Sequence, residues 1–354
     1  MSTPIIPQTT KAMVYDSSGP GRMSWHSTHQ VPKPGKNEVL IKVASSSVNP
    51  LDYRVTESHS MFMSRRNKIV GTDVAGTIVG VGRNVTNWSI GDKVFGFGAG
   101  YANFAVANQL QISRVPSDMD LSMFGVYPLV ATTAYQTLKA NWLEKPNYTV
   151  RSLLVIGASG GVGSCLLQMA RHLGGPEVRI YALCASKDVD YCRDLGASES
   201  IDYTVNNFDL ARSLPIHSLD LIIDVVSGTP ESTNYVAQGG MLLLKASGAY
   251  VVLNSQSTMD WIRARLSKTF GVNLQRTQYN LFTVKQAKST PDLDEIARMI
   301  SHNKLKLSIA DDVPLTETPI RRAIHIVKQR HVRGKIRIKP NEETPQGYTT
   351  PTTS

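Results

Sequence analysis

Cysteine is scarce in this sequence, and long apolar runs are missing. Only three cysteines, Cys165, Cys184 and Cys192, occur among 354 residues, and their spacing matches no metal site. So few thiols argue against a disulfide framework and favour a reducing compartment. No apolar run approaches the ~18 residues that cross a bilayer, which excludes a membrane-spanning protein. The N-terminal residues lack the basic and apolar regions of a secretory signal, so we expect a cytoplasmic protein.

The overall charge is mildly basic, with 38 Lys and Arg against 28 Asp and Glu. Such an excess could attract nucleic acid or a small anionic cofactor. Residues 321–339 are the most basic stretch, and their apolar spacing predicts a surface helix with a solvated basic face, followed by a strand. No aromatic residues interleave with these charges, which argues against a nucleic-acid surface.

The chain is long enough for about two domains, and its pattern of apolar and turn residues changes near residue 130. Before that point, short alternating segments bounded by turn residues predict a β-rich unit, with strands at residues 38–44, 73–81, 94–97 and 104–107. A helix is predicted at residues 130–140. Beyond it, helices at residues 163–173 and 187–195 separate continuous apolar strands, which predicts an α/β fold with a parallel sheet; these strands are residues 153–156, 179–184, 219–226, 241–244 and 250–253.

A glycine-rich turn joins the first of these apolar strands to the first of these helices. It reads Gly-Ala-Ser-Gly-Gly-Val-Gly at residues 157–163. Glycines permit a tight turn and let the backbone approach a pyrophosphate, which the N–H groups of the helix N-terminus then bind. Because the strand and the helix flank it correctly, the turn predicts a dinucleotide site, although a tight turn without a ligand has the same pattern. The candidate cofactor-binding residues are Gly157, Ser159, Gly160, Gly161, Val162 and Gly163.

The second apolar strand, residues 179–184, ends without a carboxylate. Dinucleotide folds that bind NAD usually place an acidic residue there to hold the ribose 2′-hydroxyl. Here Ser186 and Lys187 follow the strand, and Asp188 is the nearest acid. Ser186 and Lys187 could instead hold a 2′-phosphate, which favours NADPH; alternatively, Lys187 is only an exposed lysine at a helix start.

Six motifs in sequence order now suggest a family. They are Asn-Pro-Leu-Asp at 49–52, Gly-Thr-Asp-Val-Ala-Gly at 71–76, Gly-Asp-Lys-Val-Phe-Gly at 91–96, Ala-Thr-Thr-Ala-Tyr at 131–135, the turn at 157–163 and Leu-Gly-Ala at 195–197. Residues 201–203 and 334–336 extend the match. The chain resembles the zinc-independent quinone oxidoreductases of the medium-chain dehydrogenase/reductase superfamily, from about residue 11 to 339.

The resemblance implies a two-domain architecture with the cofactor in the cleft between the domains. A GroES-like catalytic domain would comprise residues 1–128 and 308–342, and a Rossmann-like NADP-binding domain residues 129–307. Residues 343–354 would form a polar tail. The resemblance also implies NADPH-dependent reduction of quinones or α,β-unsaturated carbonyls, often by homodimers. Sequence does not name the substrate, because the cleft wall at residues 57–68 matches nothing specific.

The family pattern also implies roles for single residues. Asn49 and Thr133 would lie near the nicotinamide as catalytic candidates, and Lys187 and Tyr203 would hold the 2′-phosphate. Tyr53 is a third catalytic candidate, but it directly follows the Asp of the first motif, whereas the family tyrosine stands two places after it. Each of the three residues also has a purely structural interpretation. Tyr53 could be a packed aromatic residue, Asn49 could cap a loop with its amide, and Thr133 could be an ordinary hydroxyl at a helix start.

Zinc-dependent relatives carry a Cys near residues 45–49, a His-Glu pair near residues 72–73 and a four-Cys lobe. No Cys precedes Cys165 here, so neither zinc site can form in that way. Two other functions remain open on the resemblance. The protein could bind NADPH mainly as a trafficking or scaffold protein, or it could bind RNA through its basic C-terminal face.

Overall fold

The computed structural model describes residues 6–16, 22–54, 68–146, 149–228, 233–254, 278–330 and 332–340. The predicted polar tail at 343–354 lies outside them.

The first part of the described chain is β-rich, as predicted. Its elements are β1 (Thr9–Tyr15), β2 (Met23–Gln30), β3 (Glu38–Ser47), the short helix α1 (Pro50–Arg54), β4 (Asp73–Val81), β5 (Lys93–Phe97), β6 (Phe104–Asn108) and β7 (Ile112–Arg114). β1 pairs with β2, while β3, β4, β5 and β7 lie side by side and β6 also pairs with β3. These pairings are antiparallel. Because β3 ends at Ser47, Asn49 and α1 sit at one edge of this sheet.

The middle of the chain forms the predicted parallel sheet. Its elements are α2 (Pro128–Leu138), β8 (Ser152–Ile156), α3 (Gly161–Gly174), β9 (Arg179–Cys184), α4 (Val189–Asp194), β10 (Glu199–Asp202), α5 (Leu210–Ser213), β11 (Leu219–Asp224), β12 (Leu244–Val252), β13 (Tyr279–Leu281) and α6 (Thr290–Ser301). The strand order is β10-β9-β8-β11-β12-β13. That order is typical of dinucleotide-binding folds, which bind ligands where the strand order reverses, here between β8 and β11.

The C-terminal segment returns to the first sheet. Strand β14 (Ile309–Pro314), helix α7 (Glu317–Lys328) and strand β15 (Lys335–Lys339) follow α6. β15 pairs with both β14 and β3, so residues from the two ends of the chain share one sheet. The α/β fold with a GroES-like β-rich domain and a Rossmann-like domain is thus confirmed, while the domain boundaries at 128/129 and 307/308 stay a prediction.

Two predicted elements differ from the structure. The strand expected at residues 241–244 is wrong, because a single 3-10 turn occupies Gly240–Leu243 and leads into one long strand that includes residues 250–252. Gly239, with φ at +82°, starts that turn and directs the chain away from an extended path. The helix expected at 187–195 begins as a 3-10 turn at Ser186–Asp188 and becomes α-helical only at Val189.

One hydrophobic core spans both sheets. Phe95 and Phe124 from the β-rich part belong to the same buried cluster as Leu153, Val155 and Leu166 from the parallel part. Such packing fixes the two sheets against each other at the place where α2 passes from one to the other. Among the described helices, none has both the length and the apolar character that a bilayer crossing requires.

Candidate cofactor and active site

The glycine turn after β8 has the backbone that a phosphate cradle needs. Gly157 has φ at +80°, a conformation that side chains with a Cβ rarely adopt. A Cβ on Gly163 would lie 2.2 Å from the Gly157 carbonyl oxygen, so the turn closes tightly on the first turn of α3. By contrast, a Cβ on Gly160 would meet no atom nearer than 3.6 Å, which leaves open space in front of the helix N-terminus.

The donors of that helix N-terminus fit an anionic group. The first N–H groups of any α-helix lack partners within the helix, and here they belong to Gly161, Val162 and Gly163. Ser159 lies beside them, and its carbonyl oxygen accepts hydrogen bonds from Gly334 N at 3.0 Å and from Ser164 Oγ at 3.2 Å. The residues present therefore fit a dinucleotide pyrophosphate, and their role in binding one stays a prediction.

The C-terminal segment connects this turn to the first domain. Gly160 and Gly334 are bridge partners, and a Cβ on Gly161 would lie 2.9 Å from Lys335 Cδ. From there Lys335 Nζ extends to Asn49 Oδ1 at 2.6 Å and to the Val48 carbonyl oxygen at 2.9 Å. One lysine side chain therefore spans the distance between the expected pyrophosphate turn and the expected nicotinamide-side asparagine.

Asp73 is the acceptor at the centre of the buried polar network around Asn49. Its carboxylate accepts hydrogen bonds from Ser47 Oγ at 2.6 Å, from Asn49 Nδ2 at 2.7 Å and from Leu129 N at 2.8 Å. The last bond satisfies a backbone donor at the start of α2, so Asp73 also positions that helix. Lys335 Nζ lies 3.7 Å from Asp73 Oδ2. Burial lowers the pKa of this ammonium below its usual value, although the charge of Asp73 acts in the opposite direction.

Asp52 is a second buried carboxylate next to Asn49. It accepts hydrogen bonds from Asn49 N at 2.9 Å, from Thr72 Oγ1 at 2.6 Å and from Tyr101 Oη at 3.0 Å. Burial raises the pKa of Asp52 to about 6, against the hydrogen bonds that favour its charged form. Asp52 thereby holds the backbone of Asn49 in place, while Asp73 and Lys335 hold its side chain.

The three catalytic candidates have different environments. Asn49 is fully buried, and its amide atoms bond to Asp73 and Lys335. Thr133 is half-buried on α2, where its hydroxyl donates to the Leu129 carbonyl oxygen at 2.6 Å. Tyr53 is buried in a hydrophobic cluster of the first domain, with Lys328 Nζ 5.0 Å from its ring centroid.

The residues expected at the ribose end follow two adjacent strands. Ser186 and Lys187 come after β9 and are exposed, while Tyr203 follows β10 and its N–H donates to the Cys184 carbonyl oxygen at 3.1 Å. Hydrogen bonds from Thr204 and Ser186 hold the pKa of Asp202 below its usual range, against the effect of burial. The structure thus brings Ser186, Lys187 and Tyr203 to one edge of the sheet. Of the expected cleft wall at 57–68, only Lys68 is among the described residues.

The chain is similar to known dehydrogenases and oxidoreductases. A family model described as "Alcohol dehydrogenase GroES-like domain" matches residues 35–145, and one described as "Zinc-binding dehydrogenase" matches residues 195–337. A chloroplastic quinone oxidoreductase of Triphysaria versicolor is 29% identical over 93% of this chain and 98% of its own. A chloroplastic NADPH-dependent alkenal/one oxidoreductase of Arabidopsis thaliana is 28% identical over 67% of this chain and 63% of its own.

A solved structure gives the same result for the fold. The quinone oxidoreductase of Coxiella burnetii superposes with a TM-score of 0.75 at 24% identity, covering 93% of this chain and 99% of that one. The chain belongs to the quinone-oxidoreductase-like family of the medium-chain dehydrogenase/reductase superfamily. Its relatives are named oxidoreductases, and this chain is therefore an oxidoreductase as well.

Zinc, which the description of one family model names, does not fit the polar centre of this family member. The groups around Asp73 are a hydroxyl, a side-chain amide and the Lys335 ammonium. Zinc sites use thiolates, imidazoles and carboxylates, and an ammonium 3.7 Å from the Asp73 carboxylate would repel a divalent cation. No group of three or more His, Cys, Asp or Glu side chains suited to a metal occurs in the part of the chain that the structure describes.

Sequence reasoning missed three members of this site. Lys335, Asp52 and Asp73 all lie in the motifs that suggested the family, but none was assigned a role. Lys335 opens a strand that reads Lys-Ile-Arg-Ile-Lys, in which strand alternation predicts that the lysine faces water. A sequence pattern could have indicated its role, because the motifs at 49–52 and 71–76 each supply an aspartate that could pair with this lysine.

Proposed function

We propose that this protein uses NADPH to reduce quinones or α,β-unsaturated carbonyls by hydride transfer without zinc. One observation carries the proposal: Lys335 joins the glycine turn, with its open space at Gly160, to the buried Asn49 centre. A cofactor with its pyrophosphate on that turn would extend toward Asn49 and Thr133. The exposed Ser186 and Lys187 support a phosphorylated ribose at the other end.

The residues of this chain would bind and orient, while the bound nicotinamide supplies the hydride. The N–H groups of Gly161, Val162 and Gly163 would hold the pyrophosphate. Asn49 and Thr133 would bound the nicotinamide side of the cleft, and the Asp73 and Lys335 contacts would keep Asn49 in place. Because Tyr53 is packed in a core, we assign the proton to water rather than to its phenol.

The preference for electrophilic substrates follows from the chemistry of the site. Without a Lewis acid, an unactivated ketone or alcohol is difficult to polarise, whereas a quinone or an enone is already electrophilic. Correct placement of two reactants supplies much of the acceleration that such a reaction needs. The ammonium of Lys335 beside Asp73 supports this zinc-free assignment.

Turnover of a substrate panel tests the proposal. NADPH oxidation should occur with quinones and enones and not with matched saturated ketones. The Gly160→Val variant, which keeps the rest of the site, is the control for cofactor-dependent turnover. Turnover of saturated ketones or alcohols alone would contradict the proposal, as would the absence of NADPH oxidation with the whole panel.

Homodimer formation and a cytoplasmic location belong to the same proposal. Cys165, Cys184 and Cys192 are buried free thiols, which supports a reducing compartment. Light scattering on a size-exclusion column tests the dimer, and cell fractionation tests the location. The basic stretch gives no reason to prefer RNA binding, since Arg321, Arg322 and Arg337 pair with acids of the same chain.

A further inference from the structure

Arg333 links the C-terminal segment to the loop after β9. It directly precedes Gly334, which pairs with the glycine turn. Its Nε donates to Asp188 Oδ1 at 2.8 Å, and its Nη2 lies 2.7 Å from the same oxygen. The same Nη2 donates to the Lys187 carbonyl oxygen at 2.7 Å. Arg333 therefore fixes both the acid and the backbone of the loop that would hold the ribose.

Asp188 is a buried acid close to the place where the ribose of the cofactor would bind. It stands four residues after Cys184, the last residue of β9, and its side chain is only 5% exposed. In dinucleotide folds an acid in this region holds the ribose 2′-hydroxyl and selects against a 2′-phosphate. A buried carboxylate also requires a partner, because an uncompensated buried charge is strongly destabilising.

The Arg333 guanidinium is held on a third side by Tyr191. Its Cζ lies 5.0 Å from the Tyr191 ring centroid, which is the geometry of a cation–π contact. With the carboxylate, the carbonyl and the ring in place, the planar fork has one fixed orientation. Two Arg333 donors are thereby committed to Asp188 and Lys187 rather than directed to a ligand.

We propose that Arg333 sets the cofactor preference of this protein by neutralising Asp188, acting as a specificity-determining residue and not as a ligand of the phosphate. Asp188 is the acid nearest to the position that selects NAD, and Arg333 removes it from ribose recognition and from repulsion of the 2′-phosphate. Lys187, whose carbonyl Arg333 holds, then faces a neutral neighbour. This inference rests on the proposed NADPH function.

A double-mutant cycle on Arg333 and Asp188 tests it. Dissociation constants are measured for NADPH and NADH, and for the fragments adenosine 2′,5′-bisphosphate and 5′-AMP, without any substrate. In Arg333→Gln, the preference for the 2′-phosphorylated members should fall on the order of tenfold, the effect of one charged contact. Asp188→Asn alone should leave the preference near wild type, and adding it to Arg333→Gln should restore most of the loss.

Two outcomes overturn the inference. If Arg333→Gln keeps the wild-type preference, Arg333 has no part in selectivity; if Asp188→Asn fails to restore it, Arg333 acts on the phosphate directly. Arg322→Gln, which removes an exposed ion pair with Asp311, is the matched control and should change the dissociation constant of neither cofactor. Should Arg333→Gln alone fail to fold, the double variant, which has no uncompensated buried acid, is compared with Asp188→Asn, and the inference requires equal preferences in these two proteins. Wild-type protein that binds neither cofactor would instead refute the proposed function itself.

Discussion

Lys335 Nζ lies 2.6 Å from Asn49 Oδ1, although the two residues are 286 positions apart in the sequence. The ammonium is 3.7 Å from the Asp73 carboxylate, and the lysine is only 4% exposed. This contact holds the C-terminal segment against the loop that follows β3. It places a buried positive charge between two buried acids, Asp52 and Asp73.

Lys335→Met should destabilise the protein by about 3 kcal/mol, because Asp73 would keep a buried charge without its cation. Urea unfolding measures the free energy. Lys339→Met is the matched control on the same strand, since Lys339 is 43% exposed and pairs with Asp312. That surface pair should contribute less than about 1 kcal/mol. Equal small effects in the two variants would show that the Lys335 ammonium is not part of the stabilising network.

The stability of the protein should depend on Asp52 between about pH 4 and pH 6. In the unfolded chain its pKa is near 3.8, whereas burial raises the folded pKa to about 6. Between these values the folded state holds the additional proton, so the Asp52 contribution falls as the pH rises and stays low above pH 6. The full change amounts to up to about 3 kcal/mol.

Asp52→Asn should remove that pH dependence. The amide can accept from Asn49 N and Tyr101 Oη through its oxygen and donate to Thr72 Oγ1, so the hydrogen bonds survive with one reversal. Unfolding of both proteins at several pH values gives the wild-type free energy minus that of the variant. A difference that does not change between pH 4 and pH 7 would contradict the raised pKa.

Gly160→Val should abolish NADPH binding while the protein still folds. The residue is extended, with φ at −74° and ψ at 175°, and a Cβ there meets no atom nearer than 3.6 Å. A branched side chain would instead fill the space that the pyrophosphate needs. Gly163→Ala is the contrasting variant, because its Cβ would collide with the Gly157 carbonyl and cost roughly 1–3 kcal/mol. Unchanged NADPH affinity in Gly160→Val would mean that the cofactor lies elsewhere.

Lys187→Glu should erase or reverse a preference for NADPH over NADH. The variant removes a cation and adds repulsion toward the 2′-phosphate, and because Lys187 is exposed we expect about a tenfold effect that shrinks at high salt. Dissociation constants of both cofactors at low salt measure it. Lys36→Glu makes the same charge change before β3, at the opposite end from Asn49, and should have no effect. If wild-type protein prefers NADH, the assignment of Lys187 is wrong.

Purified protein should contain no stoichiometric zinc, and chelators should leave its activity intact. The sequence has no thiol before Cys165, and the Lys335 ammonium lies beside Asp73. Elemental analysis measures the metal content directly. One tightly bound zinc per chain would refute this expectation.

Local patterns were sufficient for much of the parallel domain. Strand β9 begins and ends where the apolar run does, and Gly175, with φ at +75°, ends α3 where the glycine pair predicted it. The glycine turn was recognisable because its flanking strand and helix are adjacent in sequence. The strand expected at 241–244 failed for a local reason as well, since the left-handed turn at Gly239 outweighs the apolar run.

The sequence by itself determined the family, the parallel strand-helix alternation, the glycine turn and the serine-lysine pair after β9, because each depends on residues that are neighbours along the chain. Only the tertiary structure decided that Lys335 and Arg337 are buried on a strand whose alternation predicts exposure. It also decided that Arg333 pairs with Asp188, 145 residues away. The physical reason is that a charge can be buried only when an opposite charge or an acceptor meets it, and these partners come from distant segments that the fold alone brings together.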